Sequence, residues 1–218
     1  MSQTLSREVE IEPAHTALLI VDVQKFNCSW DGGEYAGLSA DEKEQRYGYF
    51  FRMFRDSALP NMVRLQKACR SAGIEVTYTV VESMTRDGRD RSLDYKITGF
   101  HVPKGSPDAK MVDELTPAAD EIVFPKTSSS VFISTNIDYV LRNLGTRYLI
   151  IAGCLTDQCV DSAVRDACDL GYLVTVPTDA VVTQSQERHD WSLRNNRGYC
   201  RQRTTGELLE EIARLSGT

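Results

Sequence analysis

Residues 148–176 of this chain, YLIIAGCLTDQCVDSAVRDACDLGYLVTV, decide its fold. Apolar residues dominate 148–152 and 173–176, as is typical of strands buried on both faces. Between them, apolar residues recur at helical offsets of 0, 3, 4 and 7, at Val160, Ala163, Val164 and Ala167. Gly171 follows, where such a helix would end. The stretch therefore predicts a strand, a helix and a second strand.

The same alternation repeats along the rest of the chain. Further apolar runs lie at 17–21, 74–81 and 121–124. Amphipathic segments lie between and after them, with apolar residues at Ile137, Val140, Leu141 and Leu144 and at Leu208, Ile212 and Leu215. A repeated strand-helix order implies a mostly parallel, doubly wound sheet. We therefore predict the α/β class, in a Rossmann-like three-layer α/β/α sandwich.

Two long segments, 30–57 and 83–110, interrupt this repeat. The first has a charged and aromatic run that is compatible with an extra helix, and the second is polar and rich in Gly and Arg. Such insertions often build a binding site or an oligomer contact, so Trp30 and Tyr35 are candidates for a lid or for a subunit interface. We find no linker or internal repeat, and we expect residues 1–218 to form a single domain.

Composition restricts the class of partner. The chain has 218 residues, with 25 Lys and Arg against 31 Asp and Glu, and a formal net charge of −6. Without a basic stripe, we expect neither nucleic acid nor a membrane as the partner, and a small molecule instead. The apolar runs are far shorter than the ~20 residues of a membrane span, and no secretion signal is apparent, so we expect a cytoplasmic protein.

The cysteines and histidines give no metal-site spacing. The six cysteines form no C-x-x-C pair, and the three histidines, His15, His101 and His189, lie far apart. In a chain of this length without a secretion signal, we expect the cysteines to be reduced thiols. We expect no metal and no cofactor.

Three polar residues are expected at the carboxyl ends of strands, where open parallel sheets bind their ligands. Asp22 closes the first apolar run, Lys126 follows Phe124 and Pro125, and Cys159 precedes the helical segment that begins at Val160. A helix start and a nearby lysine lower the pKa of a thiol, and a carboxylate can exchange a proton with it. Each residue alone is more often structural, but together they favour nucleophilic acyl transfer.

Three motifs, in order along the chain, resemble those of the isochorismatase-like cysteine hydrolases. They are residues 17–24 (ALLIVDVQ), Phe124-Pro125-Lys126 with Ser130, Phe132 and Thr135 at similar spacing, and residues 151–160 (IAGCLTDQCV). The family includes N-carbamoylsarcosine amidases, biuret hydrolases and ureidoacrylate amidohydrolases. The resemblance covers nearly the whole chain and implies the isochorismatase-like hydrolase fold. It also implies a homodimer or homotetramer.

By the same resemblance, Asp22, Lys126 and Cys159 form a catalytic triad, and a cis peptide bond joins Cys154 to Leu155. Asp22 takes the thiol proton, and the Cys159 thiolate attacks an amide or ureido carbonyl. Ammonia leaves, and water hydrolyses the resulting thioester. The backbone N–H groups of Leu155 and Cys159 form the oxyanion hole. The implied activity is that of a metal-independent amidohydrolase acting on non-peptide C–N bonds.

Other reactions and functions stay open at this point. Metal-dependent nicotinamidases have an Asp-x-His site in the segment that corresponds to residues 82–91, which here contain no histidine. Isochorismatases that cleave a vinyl ether lack the cysteine nucleophile, so Cys159 disfavours that activity without removing it. A non-catalytic thiol redox or scaffold protein is the third possibility, because Cys154 lies close to Cys159 in the sequence.

Candidate substrate-binding residues follow the first strand or lie near the C-terminus. Those after the strand are Gln24, Phe26 and Asn27. Arg197 lies about forty positions after the nucleophile, where some relatives contact their substrate, and an arginine can hold a carboxylate with two hydrogen bonds. A second candidate anion site is the loop with Arg86, Arg89 and Arg91. We therefore expect an acidic substrate, such as an N-carbamoyl amino acid or a ureido acid.

Overall fold

A seven-stranded sheet forms the centre of the computed structural model, which describes residues 5–217. Its strands are β1 (Thr16–Val21), β2 (Glu75–Val81), β3 (Ile122–Lys126), β4 (Tyr148–Cys154), β5 (Leu173–Pro177), β6 (Val181–Val182) and β7 (Arg201–Arg203). They are arranged in the order β3-β2-β1-β4-β5-β7, β6 pairs with β4, and every ladder is parallel. The predicted α/β class and parallel sheet are confirmed.

Helices follow most of the strands. They are α1 (Lys25–Cys28), α2 (Ala40–Met53), α3 (Leu59–Ser71), α4 (Leu93–Thr98), α5 (Val131–Ser134), α6 (Ile137–Asn143), α7 (Cys159–Asp169), α8 (Gln186–Asn196) and α9 (Thr205–Ser216). The extra helix expected in the first insertion is α2, which begins with a capping box formed by Ser39 and Glu42. Within residues 5–217, no helix combines the length and the apolar character that a membrane crossing requires.

Both faces of the sheet are buried, which explains the unbroken apolar runs. Leu18 and Ile20 of β1 belong to a core that includes side chains of α3 and α9. Ala17, Leu19 and Val21 point to the opposite core, which includes side chains of α6 and α7. Alternate residues of one strand thus serve two cores, because successive side chains of a strand point to opposite faces. This gives the predicted three layers.

The strand order reverses between β1 and β4. From β1 the chain builds β2 and β3 on one side, and then returns to add β4, β5 and β7 on the other. Val21 pairs with Gly153 at the carboxyl ends of β1 and β4. In open parallel sheets this reversal leaves a crevice outside the strand ends, where ligands bind. The candidate active site lies there.

Candidate active site

The three residues that were predicted to take part in the chemistry lie together at the carboxyl edge of the sheet. Asp22 follows β1, Lys126 is the last residue of β3, and Cys159 is the first residue of α7. Lys126 Nζ lies 2.9 Å from Asp22 Oδ2 and 3.3 Å from Cys159 Sγ. Because Lys126 is fully buried and Asp22 nearly so, solvent screens this ion pair only weakly. One ammonium group therefore contacts both the carboxylate and the thiol.

Neighbouring side chains fix the orientation of Asp22. The hydroxyl of Thr79 donates to Asp22 Oδ1 at 2.6 Å, while Oδ2 pairs with Lys126. Asp22 has a φ of 53°, in the left-handed region that non-glycine residues seldom adopt. Its carbonyl accepts hydrogen bonds from Asn27 Nδ2 at 3.0 Å and from Cys154 Sγ at 3.3 Å. These contacts hold the backbone in that conformation.

Burial dominates the electrostatics of the thiol. It raises the pKa of Cys159 to about 12, although the Lys126 charge lowers this pKa and Asp22 raises it further. The expected lowering of the thiol pKa is therefore wrong, because desolvation outweighs the lysine. Burial alone would lower the pKa of Lys126, but the opposite charges of Asp22 and Cys159 raise it overall. Lys126 is thus charged, and the thiol needs a base in order to react.

Two residues that line the cavity have backbone N–H groups without an acceptor in the described chain. The N–H groups of Leu155 and Cys159 donate to no acceptor within residues 5–217, and both residues line the cavity next to the thiol. The peptide bond between Cys154 and Leu155 is cis. These N–H groups are free to hold the oxygen of a bound carbonyl, as an oxyanion hole does. Their role in the reaction stays a prediction.

Asp22 and Cys159 line a cavity of about 470 Å³, within the usual size range of small-molecule sites. Both insertions form its walls. The first insertion contributes Glu34, Tyr35, Tyr47 and Phe50, and the second contributes Asp94, Tyr95, Thr98 and Phe100. Of the two proposed lid residues, Tyr35 lines the cavity, whereas the Trp30 ring packs 4.9 Å from that of Phe51 and is not part of the lining.

The family model described as "Isochorismatase domain" matches residues 16–207. The chain belongs to the isochorismatase family. The ureidoacrylate amidohydrolase RutB of Rhizobium rhizogenes strain K84 is 31% identical over 188 residues, which cover 79% of this chain and 72% of that protein. The corresponding protein of Agrobacterium fabrum is 30% identical, with coverages of 79% and 78%.

Solved structures agree in fold. A cysteine hydrolase from Pseudomonas syringae pv. phaseolicola superposes with a TM-score of 0.82 at 23% identity, covering 99% of this chain and all of the other. An N-carbamoylsarcosine amidase from Thermoplasma acidophilum gives 0.63 at 23% identity, with coverages of 87% and 96%. The family resemblance and the isochorismatase-like hydrolase fold are thus confirmed. The chain is a hydrolase, and the amidohydrolase names of its relatives agree with the predicted class of bond.

Two of the residues predicted to bind substrate, Gln24 and Asn27, line the cavity of this protein. Gln24 does so, but its amide accepts from Val81 N at 2.6 Å and donates to the carbonyls of Val81 at 3.0 Å and Asp108 at 3.2 Å. Its polar atoms therefore join β2 to the second insertion. Asn27 Nδ2 donates a hydrogen bond to the carbonyl of Asp22. The buried Oδ1 of Asn27 has no hydrogen-bond partner within residues 5–217.

Phe26 and Arg197 are placed differently from the prediction. Phe26 lies behind the wall, where its ring centroid is 4.9 Å from that of Phe100 in a small apolar cluster. Arg197 is exposed just after α8. Gln184 lines the cavity just before α8, and the 11 residues of this helix span about 16 Å, which carries Arg197 away from the cavity.

The arginine loop also lies outside the cavity lining. Arg91 donates to the carbonyls of Gly88 and Phe100, at 3.0 and 2.9 Å, so it stabilises the fold of the second insertion. Arg89 pairs with Asp87 on the surface, and Arg86 is exposed. Neither of the proposed anion sites therefore lies in the cavity lining.

Sequence reasoning missed Tyr95 and Glu34. The Tyr95 hydroxyl lies 3.4 Å from Lys126 Nζ and 4.0 Å from Cys159 Sγ, and burial raises its pKa. Ser92, which caps α4 through the N–H of Tyr95, is the sequence signal that could have placed this helix. Glu34 lies on a short turn, Gly33–Tyr35, that gives no periodic signal. No group of three or more metal-ligating side chains occurs within the described residues.

Proposed function

We propose that this protein is a metal-independent cysteine amidohydrolase. It cleaves the C–N bond of a small amide, ureido or N-carbamoyl compound and releases ammonia through a thioester on Cys159. The observation that carries the proposal is the position of Lys126 Nζ, within 3.3 Å of both Asp22 Oδ2 and Cys159 Sγ. A nucleophile, a base and a fixed charge then lie within reach of one carbonyl group.

Acylation begins with transfer of the thiol proton to Asp22. The Lys126 ammonium stabilises the thiolate that remains, which offsets the cost of ionising a buried sulfur. The sulfur forms a bond to the carbonyl carbon, and the N–H groups of Leu155 and Cys159 hold the negative oxygen. As the carbonyl re-forms, the C–N bond breaks, and Asp22 returns its proton to the leaving nitrogen, which departs as ammonia.

Deacylation reverses the roles of the same groups. Asp22, now ionised, removes a proton from a water molecule as its oxygen bonds to the thioester carbon. The C–S bond then breaks, the acid or carbamate product leaves, and the proton on Asp22 returns to the sulfur of Cys159. No electrons are gained or lost in the cycle, so it needs no redox partner.

The alternatives have less support. The buried Cys154 thiol lies 3.6 Å from Cys28 Sγ, and its neighbour and burial raise its pKa well above the usual value. Because the thiolate is the reactive form, this disfavours a thiol redox function. A vinyl-ether hydrolase does not need Cys159, whereas here the Cys159 thiol contacts the ammonium of the buried Lys126–Asp22 ion pair. The relatives named amidohydrolases support C–N cleavage.

The test is ammonia release by chelator-treated protein from a panel of N-carbamoyl amino acids, ureidoacrylate, biuret, nicotinamide and maleamate. We expect activity without added metal, and a loss of at least about a thousandfold in Cys159→Ala. Cys168→Ala is the matched control, because Cys168 lies on the same helix but outside the cavity lining. Release that persists in Cys159→Ala would refute the mechanism, and cleavage of isochorismate by that variant would favour the vinyl-ether alternative.

We also propose that the protein is a cytoplasmic homodimer or homotetramer. The six cysteines are all free, which supports a reducing compartment. The oligomer rests on the family resemblance, and light scattering of the purified protein tests it. A monomer over a wide range of concentration would contradict this expectation.

A further inference from the structure

The cavity walls carry carboxylates but no available cation. Among the described lining residues, Asp22, Glu34 and Asp94 are acidic, and none is Lys, Arg or His. Lys126 lies behind the thiol, and its ammonium is surrounded by Asp22 Oδ2 at 2.9 Å, Ser128 O at 2.8 Å and Cys159 Sγ at 3.3 Å. An ammonium has only three N–H donors. Lys126 therefore has none left for a carboxylate on the substrate.

Two further acceptors in the walls lack protein partners. Within residues 5–217, the Glu34 carboxyl makes no hydrogen bond or ion pair. Burial raises its pKa to about 7. Asn27 Oδ1 is also unpartnered within residues 5–217, but this atom is fully buried, so a ligand in the cavity does not contact it. Glu34, by contrast, is half-buried and lines the open cavity, so its carboxyl can accept hydrogen bonds from a ligand there.

The turn that carries Glu34 is firmly held. The hydroxyl of the adjacent Tyr35 donates to Asn27 O at 2.6 Å. The Tyr35 ring packs 4.8 Å from that of Tyr47 and 5.2 Å from that of Phe51, between ring centroids. Glu34 thus sits on a fixed support, as a residue that determines specificity should.

We propose that Glu34 accepts a hydrogen bond from an amine or amide group at the end of the substrate remote from the scissile carbonyl. The substrate is then a neutral or cationic ureido or amide compound, and not the carboxylic acid expected from the sequence. This inference rests on the proposed function, because Glu34 shares its cavity with Cys159. The chain would then differ in substrate charge from the relatives that are named for ureidoacrylate, an anion.

Binding tests the proposal independently of turnover. The inert variant Cys159→Ala is titrated by calorimetry with the N-carbamoyl derivatives of putrescine, γ-aminobutyramide and γ-aminobutyrate, which end in an ammonium, an amide and a carboxylate. We expect the ammonium compound to bind at least about tenfold more tightly than the carboxylate, since charge-assisted hydrogen bonds are the stronger ones. The amide compound should lie between them.

Glu34→Gln, added to Cys159→Ala, keeps the shape of the side chain and removes its charge. We expect it to weaken binding of the ammonium compound about tenfold and to reduce the preference over the carboxylate. Glu114→Gln is the matched control, because Glu114 is exposed and lies outside the cavity lining. Equal or tighter binding of the carboxylate, no binding of any of the three compounds, or an affinity unaffected by Glu34→Gln would overturn the proposal.

Turnover by the protein with Cys159 intact distinguishes this inference from the proposed function. Cys159-dependent ammonia release with the carboxylate as the best substrate would refute the role of Glu34 and leave the amidohydrolase in place. Preferential binding of the ammonium compound, without ammonia release from any amide tested, would refute the amidohydrolase and leave the Glu34 site in place.

Discussion

Among single residues, Glu34 should affect stability as well as binding. Burial raises the pKa of its carboxyl from 4.5 to about 7 in the folded protein. Between these two values the folded state binds more protons than the unfolded state, so this carboxyl makes stability fall as the pH rises. Above about pH 7 the folded protein bears the cost of ionising this half-buried carboxyl. A residue kept for binding thus reduces stability at neutral pH.

Glu34→Gln should therefore be more stable than the natural protein, and increasingly so at higher pH. We expect a gain of about 2 kcal/mol in the free energy of unfolding at about pH 8 and a much smaller one at about pH 5, after allowing for partial exposure of the side chain. Urea denaturation at both pH values measures it, with Glu114→Gln as the control. A gain that does not depend on pH would contradict a charge-based origin.

At the level of elements, the approach of β1 to β4 defines the site. Gly153 has a φ of 123°, and a Cβ atom there would lie 2.2 Å from Val21 O and 2.6 Å from Val21 N. Only glycine lets the two backbones come this close. Asp22 directly follows β1 and Cys154 is the last residue of β4, so the same approach brings their side chains to one edge.

Gly153→Ala should be strongly destabilising, because the clash is with backbone and cannot be relieved by a change of rotamer. We expect a loss of at least about 2 kcal/mol in the free energy of unfolding, together with reduced activity, as the ends of β1 and β4 move apart. Gly198→Ala is the control, since no atom lies within 4 Å of a Cβ there. Equal stability of the two variants in urea denaturation would disprove the steric requirement.

The elements also explain how much of the site is predictable from sequence. Asp22 and Lys126 lie where strand ends were expected, because continuous apolar runs fix the strands and parallel pairing fixes their common edge. The insertions have no such register, so Glu34 and Tyr95 were missed. Arg197 lies outside the cavity lining, because sequence distance from Cys159 does not fix where the chain after α8 lies.

Across the whole molecule, an internal ion pair joins parts of the chain that are remote in sequence. Arg201 of β7 donates two hydrogen bonds to the Glu211 carboxylate of α9, at 2.9 and 3.1 Å. Glu211 also accepts from Ile11 N at 2.9 Å, near the start of the described chain. Both charged side chains are buried, with exposed fractions of 2% and 9%. The edge strand, the last helix and the segment before β1 thus depend on one pair of charges.

Removing either partner should cost more than removing both. Arg201→Met leaves the Glu211 carboxylate buried without a cation, and Glu211→Leu leaves the guanidinium without an anion, so each should lose about 3–5 kcal/mol of unfolding free energy. In the double variant no buried charge remains, and its loss should be well below the sum of the two. Urea denaturation of the three variants measures this coupling. Additive losses would mean that the two side chains do not interact energetically, which would contradict the coupling expected from the two hydrogen bonds between them.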